Sequence, residues 1–221
     1  MSRPAIGEVA ARESGAVRRD PARKERILSA AADLVARNGY HAVSMADIGA
    51  TAGVTGSAIY RHFSSKSALL TALFDRVIDG LLHDERQIIA DVKELPAALL
   101  HLVQGQVEFV IADRELAQVY HNEINNLPAD DRRRLRRKQR LYLEEWVHLV
   151  DELHPGLTDT DARVMVHAAI GAIQSALFHA SGLPDARLRE LLTGAAVAVL
   201  GCGPQGQYSP QLRRSGRGQA R

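Results

Sequence analysis

The sequence predicts an all-α protein of about nine helices. Apolar residues recur at intervals of three and four along most of the chain, whereas the strict alternation typical of strands is missing. Alanine, leucine and arginine, which all favour helices, dominate the composition. Capping residues, glycines and prolines separate the periodic segments. The predicted helices run over residues 21–38, 44–52, 56–62, 67–92, 96–112, 113–125, 130–153, 158–180 and 185–200.

Charge is distributed unevenly along the 221 residues, although the net charge is only +2. Residues 1–66 carry a net +4, residues 67–202 a net −6 and residues 203–221 a net +4. A basic N-terminal part on an acidic body suits a protein whose first part alone meets a polyphosphate.

Compartment and membrane contact can also be predicted. The lone cysteine, Cys202, cannot form an internal disulfide, which fits a reducing cytosol. A run of ~18 uninterrupted apolar residues is missing, and the first twenty residues lack a signal-peptide core. We therefore expect a cytoplasmic protein without a membrane partner.

The stretch from Ser44 to Lys66 carries the most specific pattern. Ser44 followed by Asp47 is a capping-box-like helix start. Gly53 tolerates the positive φ of a tight turn, and Thr55 is the next candidate cap. Two short helices joined by a glycine-containing turn form a helix-turn-helix, whose second helix lies in the major groove of DNA.

Candidate DNA contacts follow from this arrangement. Val54 and Ile59 should be buried between the helices, which leaves the polar side chains outside. Tyr60, His62 and Lys66 are expected mainly on phosphates, and Thr55, Ser57 and Arg61 nearest the bases. The full candidate set is Ser44, Thr55, Gly56, Ser57, Tyr60, Arg61, His62 and Lys66. The alternative, a generic helical hairpin, does not explain so many polar residues on one exposed short helix.

The N-terminal region resembles a known family. The run GVTGSAIYRHFSSKSALL, preceded by RILSAAADLVARNGYHAVSMADIGATA, is similar to the DNA-binding domain of the TetR (tetracycline-repressor-like) family of bacterial transcriptional regulators. The similarity covers roughly residues 23–73. It implies a homodimer on a palindromic double-stranded DNA operator, and a C-terminal domain that binds a small-molecule effector.

The chain divides into four predicted parts: a disordered arm at 1–20, a helix-turn-helix DNA-binding domain at 21–66, a ligand-binding and dimerisation domain at 67–202, and a disordered tail at 203–221. The helix at 67–92 starts beside the DNA-binding part and ends in the acidic body. We expect it to transmit movement between the two.

The run at 132–140 holds seven basic residues in nine positions. Leucines and aromatic residues recur at helical spacing within and after this run and should face inward. The first interpretation is therefore that the basic residues form a solvated or salt-bridged face. The alternative is that some of these arginines grip a phosphate-bearing ligand such as an acyl-coenzyme A at a pocket mouth.

The last two helices, about 159–200, are rich in alanine and leucine on more than one face. They have more apolar surface than one monomer buries, which predicts a homodimer. In TetR-like proteins such pairs form a four-helix interface.

The resemblance also implies an effector pocket inside the body, which would suit a lipophilic or amphipathic ligand. Candidate lining residues are Leu99, Val103, Phe109, Tyr120, Trp146, Met165 and Phe178, with Glu123, Gln174 and His179 as polar contacts.

Enzyme motifs are missing from the sequence: GxSxG, a Walker loop, GxGxxG after a strand, HExxH and CxxC. The histidines do not share a ligand-spaced face, so we expect neither a metal nor a cofactor. We therefore predict a ligand-responsive, DNA-binding transcriptional regulator that acts as a repressor. Two alternatives remain: a DNA-binding protein without effector, and a helical enzyme or carrier with a helix-turn-helix appendage.

Overall fold

The computed structural model describes residues 21–203. The predictions for the arm at 1–20 and for the tail beyond residue 203 lie outside that part. Within it the chain forms nine α-helices and two short 3₁₀ turns, and no strand. The all-α prediction is confirmed. The helices are α1 (Pro21–Asn38), α2 (Met45–Thr51), α3 (Gly56–His62), α4 (Lys66–Asp91), α5 (Leu95–Ala112), α6 (Arg114–Glu123), α7 (Ala129–Leu153), α8 (Asp159–Gln174) and α9 (Asp185–Leu200).

The first three helices form the head of the molecule. Ile27, Ala31 and Val35 of α1 are buried, and α1 packs on α2. The α2–α3 contact depends on Gly49, because a Cβ there would lie 3.3 Å from the Val54 carbonyl oxygen. A larger residue at this position would need the Val54 backbone to move by a few tenths of an ångström.

The remaining helices form the body, with α5 at its centre. It contacts α4, α6, α7, α8 and α9. Within the described residues α5 is the one helix long and apolar enough to cross a membrane by composition, with a mean hydropathy of 1.4. Its position among five other helices accounts for that composition, since a helix covered on most sides needs little polar surface.

The long helix α4 belongs to both parts. It packs against α1 in the head and against α5 and α7 in the body. Ser65 caps it, with its hydroxyl accepting the Ala68 N–H at 3.0 Å. An ion pair between Arg76 and Glu25, 2.5 Å, adds a polar contact between α4 and α1.

Most helix ends agree with the sequence to about two residues, but α8 does not. A helix was expected to Ala180, and α8 ends at Gln174 in a 3₁₀ turn over Ser175–Leu177. Two side chains of α6 account for this, because Arg114 donates to the His179 carbonyl at 3.0 Å and Gln118 to the Leu177 carbonyl at 2.9 Å. These tertiary hydrogen bonds satisfy polar groups of a segment that leaves the helix.

Candidate nucleic-acid interface and ligand cavity

The predicted helix-turn-helix is formed by α2 and α3. Ser44 Oγ accepts the Asp47 N–H at 3.1 Å, and the Asp47 carboxylate accepts the Ser44 N–H at 2.9 Å and the Ser44 hydroxyl at 2.6 Å. These bonds from Ser44 hold the pKa of Asp47 below its ordinary value. The capping box fixes the start of α2, and it already engages the Ser44 hydroxyl that was expected to face DNA.

The turn between the helices has the expected geometry. Gly53 has φ +67°, and the Val54 N–H donates to the Gly49 carbonyl at 2.9 Å. Ile59 is fully buried as predicted, whereas Val54 is only half-buried. The packing of Ile59 and Gly49 therefore sets the orientation of α3 on α2.

The outer face of α3, which Gly56 begins, carries exposed polar side chains. Thr55, Ser57, Tyr60 and Arg61 are exposed, and 57% of the Tyr60 surface is accessible. Thr55 stands at the N-cap position but makes no hydrogen bond to the α3 backbone; its hydroxyl lies 3.3 Å from that of Ser57. These four side chains form one surface that an external partner can reach.

Two other candidates on this surface are less accessible. His62 is half-buried. Lys66 donates to the carbonyl oxygens of Tyr40 at 2.6 Å and Val43 at 2.7 Å, and its ammonium lies 4.3 Å from the Tyr40 ring centre. Lys66 thus holds the α1–α2 connection on the start of α4, which differs from the phosphate contact expected for it.

A small cavity of about 50 Å³ lies inside the body. Three glutamines reach it from three helices: Gln106 on α5, Gln139 on α7 and Gln174 on α8. The Tyr142 hydroxyl donates to Gln106 Oε1 at 3.1 Å. The other lining residues are Val77, Ile78, Leu81, Phe109, Tyr120, Leu143 and Ile170. The cavity is thus apolar with a few convergent polar groups, as ligand sites usually are.

The two phenols of the cavity are buried. Burial raises the pKa of Tyr120 and of Tyr142 above the ordinary value. The Tyr120 hydroxyl finds no hydrogen-bond partner among the described residues. A buried unpaired hydroxyl is costly, so Tyr120 is a polar group that a ligand in the cavity could satisfy.

A basic depression of about 320 Å³ adjoins the cavity between α7 and α8. It shares Gln139, Leu143, Ile170 and Gln174 with the cavity, and adds Arg136, Arg140, His167 and Gly171. Both arginines are exposed, and Arg136 donates to Asn125 Oδ1 at 2.9 Å. The cavity therefore has a cationic mouth.

The rest of the arginine run behaves as the first interpretation expected. Arg134 and Lys138 point to α4, where they pair with Asp75 and Asp79. Arg133 pairs with Asp130 on the surface. One face of α7 is thus salt-bridged to α4 while another carries the arginines of the mouth.

The structure brings together three of the ten predicted ligand residues: Phe109, Tyr120 and Gln174 line the cavity. Leu99, Val103 and Trp146 are fully buried in the general core, and Met165 packs against it half-buried. Glu123 accepts a hydrogen bond from Asn126. Its charge, a smaller cause than burial, also raises the pKa of Tyr40, so Glu123 lies near the junction of head and body. Phe178 and His179 are exposed beyond the end of α8. These seven do not line the cavity.

Among the lining residues that sequence analysis did not predict, Gln106 carried a signal in the sequence. Gln106 is 5% exposed and interrupts the apolar face of α5. A buried amide needs a polar partner, so it marks a polar spot within a core helix. Val77, Ile78 and Leu81 of α4 have no such signal, because core and cavity wall require the same apolar residues.

Large apolar side chains remain exposed on and around α8 and α9. They are Val164, Phe178, Leu183 and Leu191, with Phe178 exposed over 63% of its surface. Exposed apolar patches of this kind mark interaction surfaces. Groups of three or more His, Cys, Asp or Glu side chains able to hold a metal ion are missing from residues 21–203.

Comparison with known proteins places both parts of the chain. Residues 27–73 match the family described as bacterial regulatory proteins, tetR family. Residues 95–177 match the family described as tetracyclin repressor-like, C-terminal domain. The two matches coincide with the helix-turn-helix region and with the body helices that line the cavity.

Relatives and solved structures agree with this placement. The HTH-type transcriptional repressor KstR2 of Rhodococcus jostii is 30% identical over 110 residues, 50% of this chain and 54% of that protein. The chain thus matches about half the length of that curated relative. A TetR-family transcriptional regulator from Bordetella parapertussis has a TM-score of 0.70 and 27% identity, covering 78% of this chain and 93% of that one.

FadR from Bacillus subtilis, solved in complex with stearoyl-CoA, shares the fold with a TM-score of 0.67 at 21% identity, over 79% of this chain and 98% of that one. The relatives and neighbours named here are transcriptional regulators. The chain belongs to the TetR family of bacterial regulatory proteins.

Proposed function

We propose that this chain is a cytoplasmic, effector-responsive transcriptional regulator that binds a palindromic operator as a homodimer, with repression as its expected action. The observation that carries the proposal is the exposed polar face of α3, which the glycine turn and the buried Ile59 hold on α2. A helix so presented suits the major groove. The proposed division is a DNA-binding domain at 21–66 and a ligand-binding and dimerisation domain at 67–202.

Within α3 we assign roles by position. Thr55, Ser57 and Arg61 are placed nearest the bases, and Tyr60 and His62 on phosphates. We do not assign Lys66 a direct DNA contact, because two carbonyl oxygens already bind its ammonium group.

The proposed effector is an amphipathic anion of the acyl-coenzyme A type. The inner cavity is mainly apolar, and its mouth carries Arg136, Arg140 and His167. An acyl chain would enter the cavity while phosphates pair with the arginines. FadR from Bacillus subtilis, which has the same fold, binds stearoyl-CoA, and this supports the assignment.

Effector entry would move α4. A cavity of about 50 Å³ has room for only a few water molecules, so an acyl chain must push the walls apart. Val77, Ile78 and Leu81 of that wall belong to α4, which also packs on α1 of the head. Displacement of α4 would therefore change the spacing of the two heads, which must match half-sites about 34–36 Å apart.

The dimer is proposed to form through α8 and α9. Val164 and Leu191 are exposed on these two helices, and a second copy of the same surface would cover them.

The test is operator release. Purified protein is bound to fluorescent DNA from its own upstream region, and stearoyl-CoA, stearate and coenzyme A are added in turn. We expect release by stearoyl-CoA, and a response at least about tenfold weaker in the Arg136→Ala/Arg140→Ala variant. Arg133→Ala, in the same run but away from the mouth, is the matched control. Equal release from all three proteins would contradict the role of the mouth.

A regulator without effector is the second candidate, and the small volume of the cavity favours it. Sequence-specific DNA binding that no acyl-coenzyme A ester alters would support this candidate. Binding that is weak, salt-sensitive and independent of sequence would contradict both candidates.

A further inference from the structure

A second groove, of about 640 Å³, runs between α4 and α7. It has no lining residue in common with the central cavity. Its walls are formed by Leu82, Glu85, Arg86, Ile89 and Ala90 of α4 and by Leu141, Glu144, Glu145 and His148 of α7. The central cavity and its basic mouth leave this groove unexplained.

Glu85 is the unusual residue of the groove. Its side chain is only 2% exposed, and its Oε1 has no hydrogen-bond partner among the described residues. Acidic side chains are almost never buried to this degree unless they are paired. A buried carboxyl oxygen without a partner is costly, and a donor placed in the groove would satisfy Glu85 Oε1.

The other charges around Glu85 do not supply that donor. Glu144 is held by Arg163, at 2.5 and 2.7 Å, and Glu145 faces His148 at 4.0 Å. Among residues 21–203, the positive charge that lowers the pKa of Glu85 is that of Arg86, which is next in sequence and exposed. Burial, followed by the charge of Glu145, outweighs it and raises the pKa of Glu85 to about 8.

Beside these charged groups the groove has an apolar strip. Leu82 and Ile89 lie one turn to either side of Glu85 on α4, and Leu141 on α7 exposes 57% of its surface. An exposed leucine beside a buried acid favours an occupant that is apolar along its length and cationic at one point.

We propose that the α4–α7 groove binds a lipophilic ammonium ion, whose –NH₃⁺ group pairs with Glu85 and whose hydrocarbon part lies along Leu82, Ile89 and Leu141. The site is separate from the effector cavity of the proposed function. It does not rest on that function, because it uses other residues and the opposite ligand charge.

Binding at this site must release a proton. Near neutral pH the carboxyl group of Glu85 is neutral, and an alkylamine is present as the ammonium ion. Formation of the ion pair therefore converts –COOH to –COO⁻ and delivers one H⁺ to the solvent, with no other change of bonds. His148, Glu144 and Glu145 on α7 and Arg86 on α4 are the other ionisable groups that line the groove, and Tyr142 on α7 also interacts with the charge of Glu85.

The experiment uses decylamine and the full-length protein. Calorimetric titrations in two buffers of different ionisation enthalpy measure both affinity and proton release. We expect decylamine to bind with release of close to one proton at about pH 6.5, and affinity to rise by about tenfold per pH unit until Glu85 ionises. Decanol and decanoate, which lack the cation, are the matched ligands and should bind at least about tenfold more weakly.

Two variants make the result specific. Glu85→Gln, which resembles the neutral acid in shape, should lose at least about tenfold in affinity for decylamine and lose the proton release. Leu141→Gln keeps Glu85 and should weaken affinity while leaving the proton release unchanged. The Arg136→Ala/Arg140→Ala variant should bind decylamine normally, which separates this site from the effector mouth.

The intrinsic fluorescence of Trp146, the sole tryptophan, which lies on α7 beside Glu145, reports whether each variant keeps its fold. If Glu85→Gln does not fold, the test is the Leu141→Gln variant, which should bind decylamine more weakly and still release the proton. Three results would each overturn the proposal: no decylamine binding by the wild-type protein, equal affinity for decanol, or binding without proton release.

Discussion

Arg134 of α7 donates two hydrogen bonds to the carboxylate of Asp75 on α4, at 2.6 and 2.8 Å. Lys138, one turn further along α7, contacts Asp75 at 2.8 Å and Asp79 at 2.7 Å. This cluster joins the helix that reaches the head to the helix that carries the cavity mouth. It opposes separation of α4 from α7, the movement that we propose for effector binding.

We predict that Asp75→Asn weakens this connection. Burial would raise the pKa of Asp75, but the hydrogen bonds and charges of Arg134 and Lys138 hold it below the ordinary value. The pair is partly exposed, so the variant should lose about 1 kcal/mol in the free energy of unfolding at pH 7, measured by urea denaturation.

The same pKa sets the pH dependence of that loss. A lowered folded-state pKa gives stability that is present above the unfolded value of about 4 and disappears as pH falls through the folded value. The difference between wild type and Asp75→Asn should therefore shrink at about pH 3. Asp130→Asn, which removes the exposed partner of Arg133, is the control and should change stability by less than about 0.5 kcal/mol. Equal losses in both variants would contradict a special role of Asp75.

The outer face of α3 leads to a prediction about DNA specificity. Tyr60→Ala should weaken binding to operator and to unrelated DNA alike, by roughly tenfold, because phosphate contacts carry no sequence information. Ser57→Ala should change the order of preferred sequences instead. Fluorescence anisotropy with a panel of operator variants measures both effects, and Tyr60→Phe separates the ring from the hydroxyl. Normal operator binding by Tyr60→Ala would show that α3 is not the reading helix.

Glu85 leads to a prediction about stability and pH without any ligand. Its folded-state pKa of about 8 lies above that of an unfolded glutamate, so the folded state holds an extra proton between the two values. Stability is then fully present below about pH 4.3 and falls until pH passes the folded value. Glu85→Gln should remove this fall, which amounts to about 5 kcal/mol at pH 9 for a pKa raised from about 4.3 to about 8, and should therefore be the more stable protein at that pH.

Urea denaturation from pH 5 to pH 9 tests this, with Glu145→Gln as the exposed control from the same groove. Parallel curves for wild type and Glu85→Gln would show that burial does not raise the pKa of Glu85 in the folded protein.

The apolar surface of α8 and α9 predicts the oligomeric state. Leu191→Arg places a charge in the proposed interface and should convert dimers to monomers at micromolar concentration, since burying an unpaired charge is costly. Sedimentation velocity measures the change. Leu141→Arg, which alters an exposed leucine in the α4–α7 groove, should stay dimeric. Monomers in wild type, or dimers in Leu191→Arg, would contradict the interface.

The sequence by itself determined the helices and the reading motif. Ser44, Asp47, Gly53 and the apolar residue Ile59 act through neighbours within a few positions, and local rules of capping, turn geometry and periodicity describe such contacts well. That is also why the family resemblance was visible in one continuous stretch of sequence.

Only the tertiary structure decided what the side chains of the body do. Leu99 and Val103 on α5 are core, whereas Phe109 on the same helix lines the cavity, and nothing in the residue types separates them. Lys66 binds backbone carbonyls 23 and 26 residues away, and α8 stops where α6 takes over its hydrogen bonding. These outcomes depend on contacts between distant segments, and the period of a helix specifies which face is apolar but not which partner covers it.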